Sequence, residues 1–202
     1  TQGRTRFPLW VEYSIAYHEG TPGHHLQIAT VTWLGDRLSP IQREMDNSGH
    51  IEGWALYAER LMGELGYLDD PGRRLGMLSG QAFRAARVIV DIGLHHEYRI
   101  PDGEPYHGGE RWTPDLAIPF MAAWSGRTTE FAASEVDRYL GWPAQAISYK
   151  VGERVWLDTR DAARRRLGAA FDLKEFHRQG FELGFVGLDQ LRRELGDGGV
   201  NR

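Results

Sequence analysis

His18 followed at once by Glu19 is how a zinc-hydrolase helix begins, with a metal ligand next to a general base. In that signature the second His stands four residues after the first, because positions i and i+4 share a helical face. Here position i+4 is Pro22, and the next histidines are His24 and His25. A catalytic zinc needs about three protein ligands, an open position for water and a carboxylate to take that water's proton. On a regular helix His18 and His24 stand about 240° apart, and His25 returns to the first face only about 10 Å along the axis. Neither can share an ion with His18 through bonds near 2 Å on an unbroken helix. Pro22 interrupts the hydrogen-bond ladder and disfavours helical geometry at Thr21, and Gly23 accepts almost any backbone angle. Looping out two residues would carry His24 to the place that i+4 normally fills, leaving His25 pointing away in a supporting or core position. The competing reading is a helix that ends at Gly20 and a new one starting near His24, with both histidines at the surface or capping. Spacing alone leaves the two open.

Further candidates lie downstream. Glu52 and Glu59 are seven residues apart on one helical face. Glu52 adjoins Gly53, which has no side chain to block a metal, and Glu59 precedes Arg60 as a supporting or ion-paired carboxylate. On spacing alone Glu52 reads as an ordinary solvated carboxylate and gains meaning only if the first two ligands are real. Arg84, Arg87, Asp91 and His95 recur at intervals of three and four as one polar stripe. Facing a cleft, Asp91 would orient His95 toward substrate and Arg87 would hold a carboxylate. Facing solvent, the stripe would be ordinary ion pairs. Tyr149 is a candidate oxyanion donor, or else a buried ring with its hydroxyl satisfied.

The elements that must position these residues are almost all helices. Period-3.6 patterning predicts helices over about 8–19, 24–34, 51–65, 74–96, 130–140, 144–167, 172–183 and 188–195, with another starting at Thr113-Pro114-Asp115. Ser39-Pro40 opens a short connection or first turn. Asp69-Asp70-Pro71-Gly72, 100–112 and Gly141-Trp142-Pro143 read as turns or loops. No convincing period-2 strand is present. Short connections predict an all-α, compact multi-helix domain over residues 1–202.

Composition narrows the function classes. The 202 residues are 41% hydrophobic and 26% charged, with a net charge of −4. That balance offers no basic face for nucleic acid. Cysteine is absent, which removes thiolate chemistry and disulfides and says little about compartment. No apolar run suggests a membrane span and no signal peptide is visible, so a soluble chain of unknown localisation is expected.

Four blocks together resemble the bacterial proteins catalogued as domain of unknown function 885: His-Glu-Gly-Thr-Pro-Gly-His-His-Leu-Gln (18–27), Glu-Gly-Trp-Ala-Leu-Tyr-Ala-Glu-Arg-Leu (52–61), Arg-Val-Ile-Val-Asp-Ile-Gly-Leu-His (87–95) and Glu-Val-Asp-Arg-Tyr-Leu-Gly-Trp-Pro-Ala-Gln-Ala-Ile-Ser-Tyr-Lys-Val-Gly (135–152). The stretch Phe-His-Arg-Gln-Gly-Phe-Glu-Leu-Gly (176–184) is similar as well. The resemblance implies a helical fold like that of gluzincin-type zinc metallopeptidases, with His18, His24 and Glu52 as ligands to Zn2+ and Glu19 as base. It also implies that this region is the C-terminal part of a longer protein, with an N-terminal helical region walling one side of the cleft. Gly20-Thr21 stands where Ala-Tyr is commoner, a local change to the pocket wall.

The expectation is therefore a zinc-dependent hydrolase, foremost a peptidase acting on a peptide or small amide. Tyr149 or His95 would stabilise the oxyanion, and Arg87, Arg138 or Lys150 would capture a terminal carboxylate. The alternatives are hydrolysis of a non-peptide amide and a non-catalytic helical interaction domain.

Overall fold

The computed structural model describes residues 8–199. Among them there is no strand, only an isolated bridge between Arg99 and Arg111. The helices are α1 (Leu9–Glu19), α2 (His24–Leu34), α3 (Pro40–Glu44), α4 (Ser48–Glu64), α5 (Pro71–His95), α6 (Pro114–Ser125), α7 (Thr129–Gly141), α8 (Gln145–Leu167), α9 (Leu173–Glu182) and α10 (Leu188–Leu191). The all-α expectation holds.

Most starts are set by side chains that satisfy the first free N–H groups. Ser39 and Gln42 form a reciprocal capping box on α3, and Asn47, Asp70, Thr113, Thr128 and Asp172 cap α4, α5, α6, α7 and α9. These caps account for several boundary differences. The Asp69–Gly72 segment was expected as a turn, but Asp70 accepts from the Arg73 N–H and Pro71 takes the first helical position, so α5 starts three residues before Arg74. Asn47 likewise starts α4 three residues before Ile51. The last helix stops at Leu191 and continues as a wider π turn through Gly196 instead of running regularly to Leu195.

Two apolar cores flank the helices that carry the site. One gathers Trp54, Tyr57, Trp156, Phe176, Phe181 and Leu191 between α4, α8, α9 and α10. The other gathers Val90, Trp112, Phe120, Met121, Val136 and Tyr139 between α5, α6, α7 and the 100–112 loop. The pair α4 and α8 links the cores to the site, and its contact is unusually close. A Cβ on Gly53 would lie 2.4 Å from the Gly152 Cα, and one on Gly152 would lie 1.9 Å from the Gly49 carbonyl oxygen. Glycine at these positions lets the two backbones touch, so side chains one turn away meet directly.

Candidate metal centre

The chain breaks between α1 and α2 as Pro22 requires. α1 ends at Glu19, α2 starts at His24, and the Thr21–Pro22 peptide is cis. Both readings expected the interruption at Thr21-Pro22-Gly23, and it is observed. The surface placement of the competing reading is not: His18 is 3% exposed and its ring lies 4.8 Å from that of His24, nearly perpendicular to it. Gly23 makes the tight return possible by its lack of bulk, since a Cβ there would sit 1.9 Å from the His18 carbonyl oxygen.

Glu52, from the buried side of α4, completes the group. Its Oε2 lies 3.4 Å from His18 Nε2 and 3.2 Å from His24 Nε2. One donor atom from each of the three residues falls within 4.8 Å of the other two. For metal–ligand bonds of about 2.0–2.1 Å, neighbouring ligands of a tetrahedral ion are about 3.3 Å apart. Both measured separations match that edge. Glu52 Oε2 is also buried and makes no hydrogen bond of normal geometry. An anionic oxygen left so is costly in a protein interior unless a cation meets it. A divalent ion held by two imidazoles and this carboxylate satisfies it, so these residues fit zinc.

The surroundings sharpen the electrostatics. His18 Nδ1 donates to Glu59 Oε1 at 2.8 Å, which fixes the tautomer and leaves Nε2 with its lone pair toward Glu52 and His24. Glu59, 1% exposed, is held in turn by the Ser14 hydroxyl and by Arg84 Nη2 at 3.1 Å. Burial is the largest single influence on His18 and lowers its pKa, but the Glu52 and Glu59 carboxylates together outweigh it and the imidazole ends above its ordinary value. Burial likewise pushes the Glu52 carboxyl upward, and the contacts with His18, His24 and Tyr149 overcome it, holding Glu52 well below the usual carboxylate range. Both shifts say the same thing: the cluster stabilises a positive charge at its centre. A proton can supply that charge, and a metal ion would displace the proton.

Tyr149, on α8 one turn before Gly152, stacks 6.1 Å from the His18 ring, and its hydroxyl reaches the Glu52 carboxylate. Burial, followed by the Glu52 charge, pushes its pKa up, so it carries its proton at neutral pH. Glu59 occupies the supporting position expected of it. Glu19 is exposed at the end of α1, and His25 is exposed on α2, where it supports neither the cluster nor the core.

The remaining expected residues stand elsewhere or are already engaged. His95 lies eleven residues beyond Arg84 on α5, about 16 Å along the axis. Its Nε2 contacts Asp91 at 3.3 Å and the Tyr139 carbonyl at 2.9 Å. Asp91 does meet His95, and burial raises its pKa, offset only in part by the nearby Ala144 and Ile147 backbone and the His95 and Arg138 charges. It lies beside the start of α8, whose own N-cap residue Ala144 offers no side-chain bond. This pair anchors helices and does not face the cluster, as the i,i+4 spacing could not reveal. The three cations expected to meet a substrate carboxylate are each paired within the protein. Arg87 binds Glu135 at 2.7 Å and Arg138 binds the same carboxylate at 3.1 Å, while Lys150 binds Glu153 at 2.6 Å. Of the residues not singled out from sequence, Ser14 had a readable signal: it precedes His18 by four and shares its face. Arg84 was visible in the polar stripe, but its partner Glu59 was not.

The comparisons with known proteins agree with this architecture. Residues 1–195 match the family described as "Bacterial protein of unknown function (DUF885)". The chain belongs to this family. Among solved structures, the DUF885 chain is similar to a protein described as a "putative lipoprotein" from Colwellia psychrerythraea, at 36% identity and a TM-score of 0.81, covering 94% of this chain and 30% of that one. A second, from Shewanella oneidensis and described in the same terms with unknown function, is 25% identical with a TM-score of 0.76, over 91% of this chain and 31% of the other. The DUF885 chain thus spans under a third of the length of these relatives. No curated protein matches. No helix among the described residues is long and apolar enough to cross a membrane.

Proposed function

We propose that this DUF885 chain binds one zinc ion through His18, His24 and Glu52 and serves as a metal-dependent hydrolase, foremost a peptidase of gluzincin-like chemistry. The observation that carries the reading is the pair of ligand-atom separations, 3.2 and 3.4 Å, around a buried carboxylate oxygen that makes no hydrogen bond of normal geometry. Zinc held there would supply a Lewis acid and a water whose pKa falls toward about 7.

The chain's own residues would do the rest. Glu52 stays anionic at neutral pH, and Glu59 keeps His18 in the ligating tautomer. Glu19, next to His18 and open to solvent, would accept the proton of the attacking water and pass it to the leaving amine. Tyr149, protonated at neutral pH, would donate to the oxygen that gains charge as the carbonyl is attacked. Because Arg87, Arg138 and Lys150 are committed to internal carboxylates, the substrate is a peptide or small amide recognised without those cations.

Metal analysis after dialysis against zinc tests the site. We expect one equivalent in the unaltered chain and none in His18→Ala or His24→Ala; a chain that retains no zinc overturns the proposal. Glu19→Gln should keep the metal and lose hydrolysis across a panel of peptides and small amides. Turnover of amides alone would move the substrate class away from peptides.

A further inference from the structure

We propose that Trp54 is the positioning residue for His24, acting through the backbone of the break between α1 and α2. The inference rests on the zinc reading and extends it to how the second imidazole is aimed. His18 is aimed directly, by its Nδ1 bond to Glu59. His24 has no such partner: its Nδ1 is buried without a hydrogen bond. Metal-bound imidazoles nearly always donate their other ring N–H to a fixed acceptor, which sets the ring's direction. Something else must aim His24.

The residues just before it are held instead. The Trp54 indole N–H donates to the Pro22 carbonyl at 2.9 Å and also meets the Gly23 carbonyl at 3.3 Å. Gly23 is the N-cap of α2 and offers no side-chain bond of its own. The indole is itself immobile. It is 1% exposed and wedged by Phe181 at 4.6 Å, Trp156 at 5.0 Å and Tyr57 at 5.3 Å between ring centroids. Trp54 stands two residues after Glu52. One helix therefore presents a ligand from one face and, from another, clamps the segment that delivers a second ligand. The distance between Glu52 and His24 is then set by a short rigid path and not by the flexibility of Thr21–Gly23.

The test separates the N–H from the bulk of the ring. Position 54 is changed to Phe, and in a second protein to β-(3-benzothienyl)alanine, which keeps the indole shape and lacks the N–H. Leu61→Ala, in the same apolar cluster, is the packing control. Zinc affinity is measured by chelator competition, and Co2+ substitution reports coordination by the strength of its visible bands. We expect zinc affinity to fall about tenfold in both position-54 proteins, equal to about 1.4 kcal/mol, with weakened Co2+ bands. Leu61→Ala should lower the melting temperature and leave zinc affinity within twofold. Zinc bound by the benzothienylalanine protein as tightly as by the unaltered chain overturns this inference alone, and so does an equal loss in Leu61→Ala. Failure of the unaltered chain to bind zinc overturns the site reading and this inference with it.

Discussion

Glu59→Gln probes the centre of the site without touching a proposed ligand. The carboxylate is 1% exposed and meets three donors: His18 Nδ1 at 2.8 Å, Arg84 Nη2 at 3.1 Å and the Ser14 hydroxyl. Glutamine has the same shape. Its carbonyl oxygen can accept from His18 and Arg84, and its amide can donate to Ser14 once that hydroxyl turns. The hydrogen bonds survive and the charge does not. Removing one partner of a buried ion pair costs about 3–5 kcal/mol. The Arg84 side chain keeps 14% of its exposure and so part of its hydration, which brings the expected loss for the metal-free chain to about 2 kcal/mol. Zinc should suffer separately. Without an anion on Nδ1–H the His18 imidazole is a poorer donor to metal, and loss of such a supporting carboxylate typically weakens affinity 10- to 100-fold. Urea unfolding in the presence of chelator reads the first quantity, and competition with a chromogenic chelator reads the second. Zinc affinity within twofold of the unaltered chain, whatever the stability change, would refute the argument that Glu59 serves the metal through His18.

Gly53→Ala places a Cβ 2.4 Å from the Gly152 Cα where ordinary contact is 3.4–4 Å, so α4 and α8 must part by about 1 Å, at an overpacking cost of about 1–3 kcal/mol. Thermal unfolding checks it, and an unchanged melting temperature would show that the crossing is looser than described. A separate expectation concerns acid. His50 is 1% exposed, stacks on Trp156 at 5.5 Å and has neither ring nitrogen bonded, and burial lowers its pKa to about 4. The unfolded chain takes up that proton near pH 6.5 and the folded chain only near 4, so stability is full above 6.5 and is lost as pH falls through this window, by about 3 kcal/mol from this group. Burial lowers His177 to about 4 as well, adding a second contribution of the same sign. His50→Phe should remove its own share of the acid slope in urea unfolding between pH 7 and 4, and an unaltered slope would count against a neutral buried His50.

Much of the fold was legible because helix signals are local. The Thr113-Pro114-Asp115 start and the stop before Gly168 need only nearby residues, and both stand where periodicity and capping chemistry put them. The earlier starts of α4 and α5 were within reach of the same rule, since Asn47 and Asp70 are strong caps, but the turn-forming look of Asp-Asp-Pro-Gly outweighed it. Of the site, the His18–His24 pairing could be argued from Pro22 and Gly23, whose backbone restrictions are properties of single residues.

Which partner each polar side chain chooses was not legible, because for groups such as His18 with Glu59 and Arg87 with Glu135 it depends on neighbours distant in sequence. By sequence, His95 with Asp91 and Arg87 with its stripe were equally good cleft residues. Packing of α5 against α7 and α8 tied His95 to the Tyr139 carbonyl and Arg87 to Glu135. On spacing alone Glu52 read as a solvated carboxylate, and only the resemblance pointed to it as a ligand; the Gly53–Gly152 contact draws α4 against α8 and sets it beside two imidazoles and Tyr149. The sequence by itself determined which residues could hold a cation and where the helix must break. Only the tertiary structure decided that Glu52 joins the histidines and that Glu59 stands behind His18. Burial makes the difference: an unpaired carboxylate costs little in water and much in a protein interior, so side chains of one type become distinguishable once packing has removed the solvent.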